Sequence, residues 1–313
     1  MRPLRIVLPT PFAVGPVNAY VYPRDPVTVV DPGPLYAPAQ EALRSGLAAV
    51  GLAEADIRQI VVTHHHPDHA GYAPALAARC GGEIYLHPEA AERTRDPRGD
   101  EAASEAVLRR HGVPEDVLDA MRRELTRIVS FMAPLDAYTP LLEGASLTAG
   151  GARLEALLLP GHAPGHICLR GEDCVVGGDL LIDGITPNPI YEVGPNGRRP
   201  SLQEYMASLR RVRSLPVVTW LAGHRGDIAD PLGLIDQYEA QMAARQQRLL
   251  ALLREGARSA FALSQELFPM HRGADPFLAM SETLGQLDGL VEQGLAVEES
   301  RRGAVLFRAA GAG

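Results

Sequence analysis

The chain has 313 residues, enough for one large domain with a smaller one or for two domains. Apolar residues make up 46% of the chain and charged residues 22%, the balance of a soluble protein with a full core. The formal charge of −8 argues against a general polyanion binder, although a local basic groove is compatible with it. All 30 basic residues are arginine, which removes lysine-based chemistry.

The three cysteines, Cys80, Cys168 and Cys174, are odd in number and show no CxxC spacing. This pattern argues against a disulfide framework and against a structural zinc site built from thiolates. The first residues lack the continuous apolar core of a signal peptide, and no apolar run approaches membrane-spanning length. We therefore expect a cytoplasmic protein without a membrane partner.

Short apolar runs separated by Pro/Gly turns fill the first ninety residues. The predicted strands are residues 4–8, 18–22, 27–30, 60–62 and 83–86. Amphipathic patterns predict helices over 38–50 and 72–79. This mixture of hairpins and βα units predicts an α/β sandwich.

A charged, helical stretch then interrupts the strands. Residues 97–132 are predicted to form a helical insertion, with helices over 101–111 and 114–129. Its charged runs favour a solvated helix surface, and a lid or a wall of a substrate pocket is the alternative.

The second half repeats the strand pattern and then becomes helical. Predicted strands are 146–148, 154–159, 174–176 and 217–221, with a helix over 201–215. Beyond this part, helices over 234–254, 259–267 and 277–293 precede a hairpin of strands 295–299 and 304–308. Three helices and a terminal hairpin are the layout of a winged-helix module. We therefore predict two domains, residues 1–229 and 230–313.

The strand at 60–62 ends in a cluster of ligand-type side chains. They are His64, His65, His66, Asp68 and His69. A solvated His-rich loop without a function is the alternative interpretation. Neutral imidazoles with a carboxylate indicate a metal site, for zinc first and for iron or manganese as alternatives.

Other predicted strands also end in histidine or aspartate beside glycine or proline. These side chains are Asp31, His162, His166, Asp179 and His224. Glycine lets the backbone turn tightly, so side chains from separate strands can converge on one centre. His87, His111 and His271 are isolated, and ordinary packing is the favoured interpretation for each.

The order HxHxDH, Pro-Gly-His, Gly-Asp and Gly-His resembles the metallo-β-lactamase superfamily. The resemblance implies a four-layer αββα sandwich and two divalent metal ions. It implies the following ligands: His64, His66 and His162 for the first ion, Asp68, His69 and His224 for the second, and Asp179 between them. It also implies that Asp68 orients the nucleophile and that Asp31 and His166 support the ligands. His65 is predicted to point away.

The C-terminal segment points to a particular subgroup of this superfamily. A superfamily domain with a winged-helix-like tail resembles the β-lactamase-like endoribonucleases and related hydrolases, and Tyr238, Arg245 and Arg248 fit that group. Residues 165–168 resemble glyoxalase II, but this chain has no lysine for that enzyme's basic glutathione clamp. A true β-lactamase is disfavoured, because those enzymes lack the bridging aspartate or use cysteine at the second site.

Hydrolysis of an ester, thioester or lactone of a small acyl substrate is the leading prediction. Two cations about 4 Å apart hold a hydroxide between them at neutral pH, so no side-chain nucleophile is needed. The insertion and the loop 183–200 are expected to shape the pocket. Tyr191, Arg198 and Arg199 are candidates for substrate binding, with a solvated loop as the alternative for the two arginines.

The second prediction is a phosphodiesterase acting on single-stranded RNA, since two-metal sites also support in-line attack on phosphate. Residues 230–313 hold eight Arg against eleven Asp and Glu, so they lack the basic excess of a nucleic-acid module. Such a tail is more often a packing or dimerisation element, so a homodimer is one of the expected partners. A non-catalytic ligand sensor and an iron-dependent oxygenase are the weaker alternatives.

Overall fold

The computed structural model of the chain describes residues 1–194, 197–216, 219–269 and 275–311. The strands are β1 (Leu4–Leu8), β2 (Val17–Tyr22), β3 (Thr28–Val30), β4 (Gln59–Val61), β5 (Glu83–Leu86), β6 (Thr139–Pro140), β7 (Ser146–Ala149), β8 (Ala152–Leu158), β9 (Ile167–Arg170), β10 (Val175–Gly178), β11 (Val193–Gly194), β12 (Gly197–Arg198), β13 (Trp220–Ala222), β14 (Ala296–Arg301) and β15 (Ala304–Ala309). The helices are α1 (Ala37–Ala48), α2 (Pro67–Ala70), α3 (Ala73–Cys80), α4 (Pro88–Arg95), α5 (Glu101–Arg110), α6 (Glu115–Val129), α7 (Ser201–Arg213), α8 (Pro231–Arg254), α9 (Ala260–Leu267) and α10 (Pro276–Glu292).

Two sheets form the centre of the fold. The first has the order β1-β2-β3-β4-β5-β6, antiparallel from β1 to β3 and parallel from β3 to β6. The second has the order β13-β10-β9-β8-β7, in which only β10 and β13 run parallel. Apolar side chains from both sheets fill the layer between them, among them Tyr20, Val61, Leu154, Ile167 and Val176.

Helices cover the outer face of each sheet. On the first sheet, Leu43 of α1 and Leu76 of α3 pack against Ile60 and its neighbours. On the second, Leu209 of α7 and Ile235 of α8 are buried beside apolar residues of its strands. Helix, sheet, sheet and helix follow one another, which confirms the predicted four-layer αββα sandwich.

The C-terminal helices share a core with the helical insertion. Leu108 of α5 and Leu118 of α6 are buried in one cluster with Leu253, Leu284 and Phe307 of the C-terminal segment. The charged runs of the insertion therefore lie on helices whose apolar sides face that segment. The three helices and the β14–β15 hairpin are present, and their winged-helix assignment stays a prediction. Among the described helices, none has the length and hydrophobicity needed to cross a membrane.

Several described elements were not predicted from the sequence, among them β9 and α4. Strand β9 begins directly after His166, where closely spaced Pro and Gly obscure a run of only three apolar residues. Helix α4 has only eight residues and starts at Pro88, whose missing N–H costs nothing at a first helical position. Of the strand predicted over 217–221, residues 217 and 218 lie outside the described residues, as does His271.

Candidate metal centre

The site forms where strands of the two sheets end at the same edge of the sandwich. Strand β4 leads into His64, and Pro67 then starts the short helix α2, which carries Asp68 and His69. Strands β10 and β13, parallel neighbours in the second sheet, lead into Asp179 and His224. Parallel strands present their carboxyl ends at one edge, so ligands distant in the chain meet there.

His64, His66 and His162 form one group of potential metal ligands, with ligand atoms within 4.8 Å of one another. The Nδ1 atom of His66 lies 3.0 Å from Nε2 of His162, and Nε2 of His64 is buried without a hydrogen-bond partner among the described residues. Burial lowers the pKa of His64 and of His66 well below the usual value, and neighbouring histidines add to the effect. These rings are therefore neutral, the form that binds metal.

Asp68, His69 and His224 form a second such group. The Nε2 atom of His224 lies 3.3 Å from Asp68 Oδ2. Burial opposes protonation of His224, but the carboxylates of Asp179 and Asp68 outweigh it and raise its pKa to about 10. Two carboxylates beside two imidazoles thus make a strongly cation-attracting pocket.

Asp179 lies between the two groups. Its Oδ1 atom is 3.3 Å from Nε2 of His69, and its Oδ2 atom is 3.4 Å from Nε2 of His224 and 3.8 Å from Nε2 of His162. The same carboxylate therefore reaches ligands of both groups. Although Oδ1 is close to His69, it is buried and makes no hydrogen bond of good geometry within the described residues.

The far sides of the rings are hydrogen-bonded to the surrounding protein. Nδ1 of His162 donates to the carbonyl of Asn188 at 2.9 Å, and Nδ1 of His224 donates to the carbonyl of Pro16 at 2.7 Å. A carbonyl can only accept, so in both rings Nδ1 carries a hydrogen and Nε2 is the nitrogen that faces the centre. In His224, whose pKa is raised, Nε2 must lose its proton before it can bind a metal.

Asp31 supports the first strand of the site. Its Oδ1 atom accepts from the Thr63 backbone N–H, and its Oδ2 atom accepts from the Thr63 hydroxyl, both at 2.8 Å. Oδ2 also lies 2.9 Å from Nδ1 of His69, while the Thr63 hydroxyl lies 3.0 Å from Nδ1 of His64. One buried carboxylate therefore orients the turn that carries a ligand of each group.

His166 lies behind Asp179 and outside both groups. Its Nε2 atom accepts a hydrogen bond of 3.1 Å from the Asp179 backbone N–H. The ring is fully buried, and burial lowers its pKa to about 3, so it stays neutral and able to accept. His65, which was predicted to point away, also belongs to neither group among the described residues.

Two glycines allow the backbone to approach the ligands. Gly178 has φ +50°, and a side chain there would meet the Thr63 hydroxyl at 2.8 Å. A Cβ at Gly223 would lie 2.2 Å from Asp179 Oδ1 and 2.7 Å from His69 Cε1. Any larger residue at 223 would displace the central carboxylate.

The donor set fits divalent cations. Nε2 of His64, His69 and His224 and Oδ1 of Asp179 are buried polar atoms without hydrogen-bond partners among the described residues. Such atoms cost free energy unless something binds them, and divalent metal ions at the two groups would satisfy them. Imidazole with carboxylate suits zinc, iron or manganese.

The three residues predicted to bind substrate lie between the sandwich and the C-terminal segment. Tyr191 is buried, and its hydroxyl has no partner within the described part of the chain. Arg198 pairs with Asp288 and Glu298, while Arg199 pairs with Glu89 and Glu204. Both guanidinium groups are thus engaged by carboxylates, unlike those of a solvated loop, and a role in substrate binding stays a prediction.

Thr63, Asn188 and Pro16 were missed as contributors to the site. Thr63 directly precedes the His cluster. Asp31 and Thr63 follow the ends of the neighbouring strands β3 and β4, and this was the available signal. Asn188 and Pro16 act through backbone carbonyls, which every residue has. Sequence alone held no signal for these two.

The sequence model of the metallo-beta-lactamase superfamily matches residues 13–224, a span that ends at His224. The chain belongs to this superfamily. Its ligand groups therefore lie within the matched span, and α8, α9, α10 and the terminal hairpin lie beyond it.

Individual proteins extend the likeness beyond the matched span. A probable metallo-hydrolase YqjP of Bacillus subtilis (strain 168) is 33% identical over 293 residues, which cover 92% of this chain and 91% of that protein. The crystal structure of metallo-beta-lactamase family protein TTHA1429 from Thermus thermophilus has a TM-score of 0.86 and 30% identity, covering 98% of each chain. A hydroxyacylglutathione hydrolase of Stenotrophomonas maltophilia (strain R551-3) is 24% identical over 80% of this chain and 78% of its own length.

Proposed function

We propose that this chain is a two-metal hydrolase that cleaves an ester, thioester or lactone of a small acyl substrate. The observation that carries the proposal is the position of Asp179, whose carboxylate lies within 3.8 Å of histidine nitrogens from both ligand groups. A carboxylate in this position would fix the spacing of two cations. The likeness to a hydroxyacylglutathione hydrolase supports the acyl class of substrate.

In the proposed reaction, His64, His66 and His162 would hold one ion and Asp68, His69 and His224 would hold the other. Asp179 would bind both. When bound, two divalent cations supply water activation near neutral pH and positive charge beside the substrate carbonyl. Asp68, which lies beside His224, is placed to accept and orient a proton of the attacking water. Zinc is the proposed metal, with iron or manganese as alternatives.

The RNA phosphodiesterase alternative receives less support. Tyr238, predicted to fit the endoribonuclease group, is buried, and its hydroxyl bonds to Ile182 and Ile185. Arg245 forms a 2.5 Å ion pair with Glu282 of α10. Two of the three residues that pointed to a nucleic-acid role are therefore engaged inside the protein.

The test combines metal analysis with a substrate panel of acyl thioesters, lactones and short RNA oligomers. We expect close to two metal ions per chain and turnover of an acyl substrate, both reduced in a His66→Ala variant. His65→Ala is the matched control, since this neighbouring histidine belongs to neither ligand group. Cleavage of RNA alone, abolished by His66→Ala, would reverse the proposal, and purified protein with one ion or none would contradict the two-metal site.

A further inference from the structure

The loop that follows Asp179 is attached to the C-terminal helices along its length. We call residues 180–192 the metal-side loop, because they directly follow Asp179 and contact His162. Its hydrogen bonds to α8 and α10 involve Ile182 with Tyr238, Thr186 with Gln241, Asn188 with Leu278, and Tyr191 with Ser281. The loop therefore connects the metal centre to a part of the chain that lies beyond the superfamily match.

Asn188 makes this connection within a single residue. Its backbone carbonyl accepts from Nδ1 of His162 at 2.9 Å, and its side-chain Nδ2 donates to the carbonyl of Leu278 at 2.8 Å. Leu278 lies in the first turn of α10. The neighbouring Ile190 also contacts His162, since its N–H lies 3.4 Å from the His162 carbonyl. The position of the Asn188 carbonyl, and with it the His162 ring, is thus tied to α10.

We propose that Asn188 is a positioning residue for the first metal ion, so that α10 sets how tightly that ion is held. This inference rests on the proposed two-metal function. The hydrogen bond on the far side of a ligand histidine fixes its tautomer and ring orientation, and losing such a partner costs about 10- to 100-fold in metal affinity. Here the partner is a carbonyl on a loop, and the Asn188 side chain holds that loop to α10.

Thr186 offers a matched comparison within the same loop. Its hydroxyl donates to Oε1 of Gln241 in α8 at 2.8 Å, so it also ties the loop to a C-terminal helix. Neither Thr186 nor Gln241 belongs to a ligand group among the described residues. If the loop needed only to be attached somewhere, loss of either side chain would have the same effect on metal binding.

The experiment titrates the metal-free full chain with Zn²⁺ in competition with a chelating dye, for wild type, Asn188→Ala and Thr186→Ala. We expect two binding steps in wild type, one of them weakened about tenfold in Asn188→Ala and both unchanged in Thr186→Ala. Asn188→Leu has a similar size and no charge but loses the donor, and it should behave like Asn188→Ala; it serves as the test if the alanine variant does not fold. Equal zinc affinity in wild type and the Asn188 variants would overturn the inference, as would equal losses in the Asn188 and Thr186 variants.

Hydrogen exchange of the wild-type chain tests the same link without a substitution. Binding of zinc should slow amide exchange in residues 186–192 and in the first turns of α10, because linkage acts in both directions. Slowing in the loop without any change in α10 would overturn the inference. A wild-type chain that binds no zinc would overturn the proposed function itself, whereas two ions in wild type with unaltered binding in Asn188→Ala would overturn this inference alone.

Discussion

The Oδ2 atom of Asp31 lies 2.9 Å from Nδ1 of His69, on the side of the ring that faces away from the Asp179 carboxylate. The same carboxylate accepts two hydrogen bonds from Thr63. Asp31→Ala should therefore weaken zinc binding about 10- to 100-fold by releasing a ligand ring. Zinc competition titrations check this, with Thr63→Val expected to give a smaller loss because it removes only the hydroxyl. Unchanged affinity in Asp31→Ala would show that His69 is oriented by other contacts.

Removal of the central carboxylate should reduce both metal content and turnover. Asp179→Asn keeps the size of the side chain but removes the charge that offsets two cations, so we expect about one ion per chain and severely reduced turnover. Asp183→Asn is the control, since this exposed aspartate lies only four residues along the chain. Metal analysis and rate measurements on the same samples test both expected losses. Full activity in Asp179→Asn would contradict its bridging position.

The backbone of Asp179 should depend on His166. Replacement of His166 by Phe leaves the buried Asp179 N–H without its acceptor, which costs about 1–3 kcal/mol of stability. We expect a lower free energy of unfolding in urea and weaker metal retention. His166→Gln supplies a new side-chain acceptor and should recover part of both losses. If the Phe and Gln variants behave alike, ring packing outweighs the hydrogen bond.

Acid should destabilise the chain partly through His111. This ring is buried against Phe307 and accepts from Arg198; burial and then the Arg198 charge lower its pKa to about 3. As the pH falls below 6.5, His111 binds a proton in the unfolded chain, whereas in the folded chain it stays neutral until the pH nears 3. Stability should therefore fall by about 1.4 kcal/mol for each pH unit below 6.5, until the pH nears 3.

A His111→Phe variant separates this effect from other titrating groups. The phenyl ring can still stack on Phe307 but takes up no proton. Urea unfolding of both metal-free proteins at pH 7.5 and pH 5 should show a loss of stability about 2 kcal/mol smaller in the variant. All other histidines are shared by the two proteins, so their contributions cancel. Equal losses would mean that His111 is protonated in the folded chain.

Most strands and the candidate ligands were predictable from local patterns, whereas the four-layer sandwich and the division of the ligands into two groups followed from the resemblance to the superfamily. Apolar runs marked the strands, and histidines or aspartates beside glycine marked strand ends that a parallel arrangement brings together. The contacts of Arg198 were not predictable, since its partners Asp288 and Glu298 lie ninety or more residues away in the chain. The contact between Asn188 and His162 was also not predictable, because it is made by a backbone carbonyl, which every residue has.

Gly223 carries no functional group, yet a Cβ there would lie 2.2 Å from the Asp179 carboxylate. The spacing of the candidate metal ligands therefore depends partly on glycine at position 223, which has no side chain to displace them. Mutational intolerance at this position would reflect a shortage of space, and it should not be mistaken for participation in the chemistry.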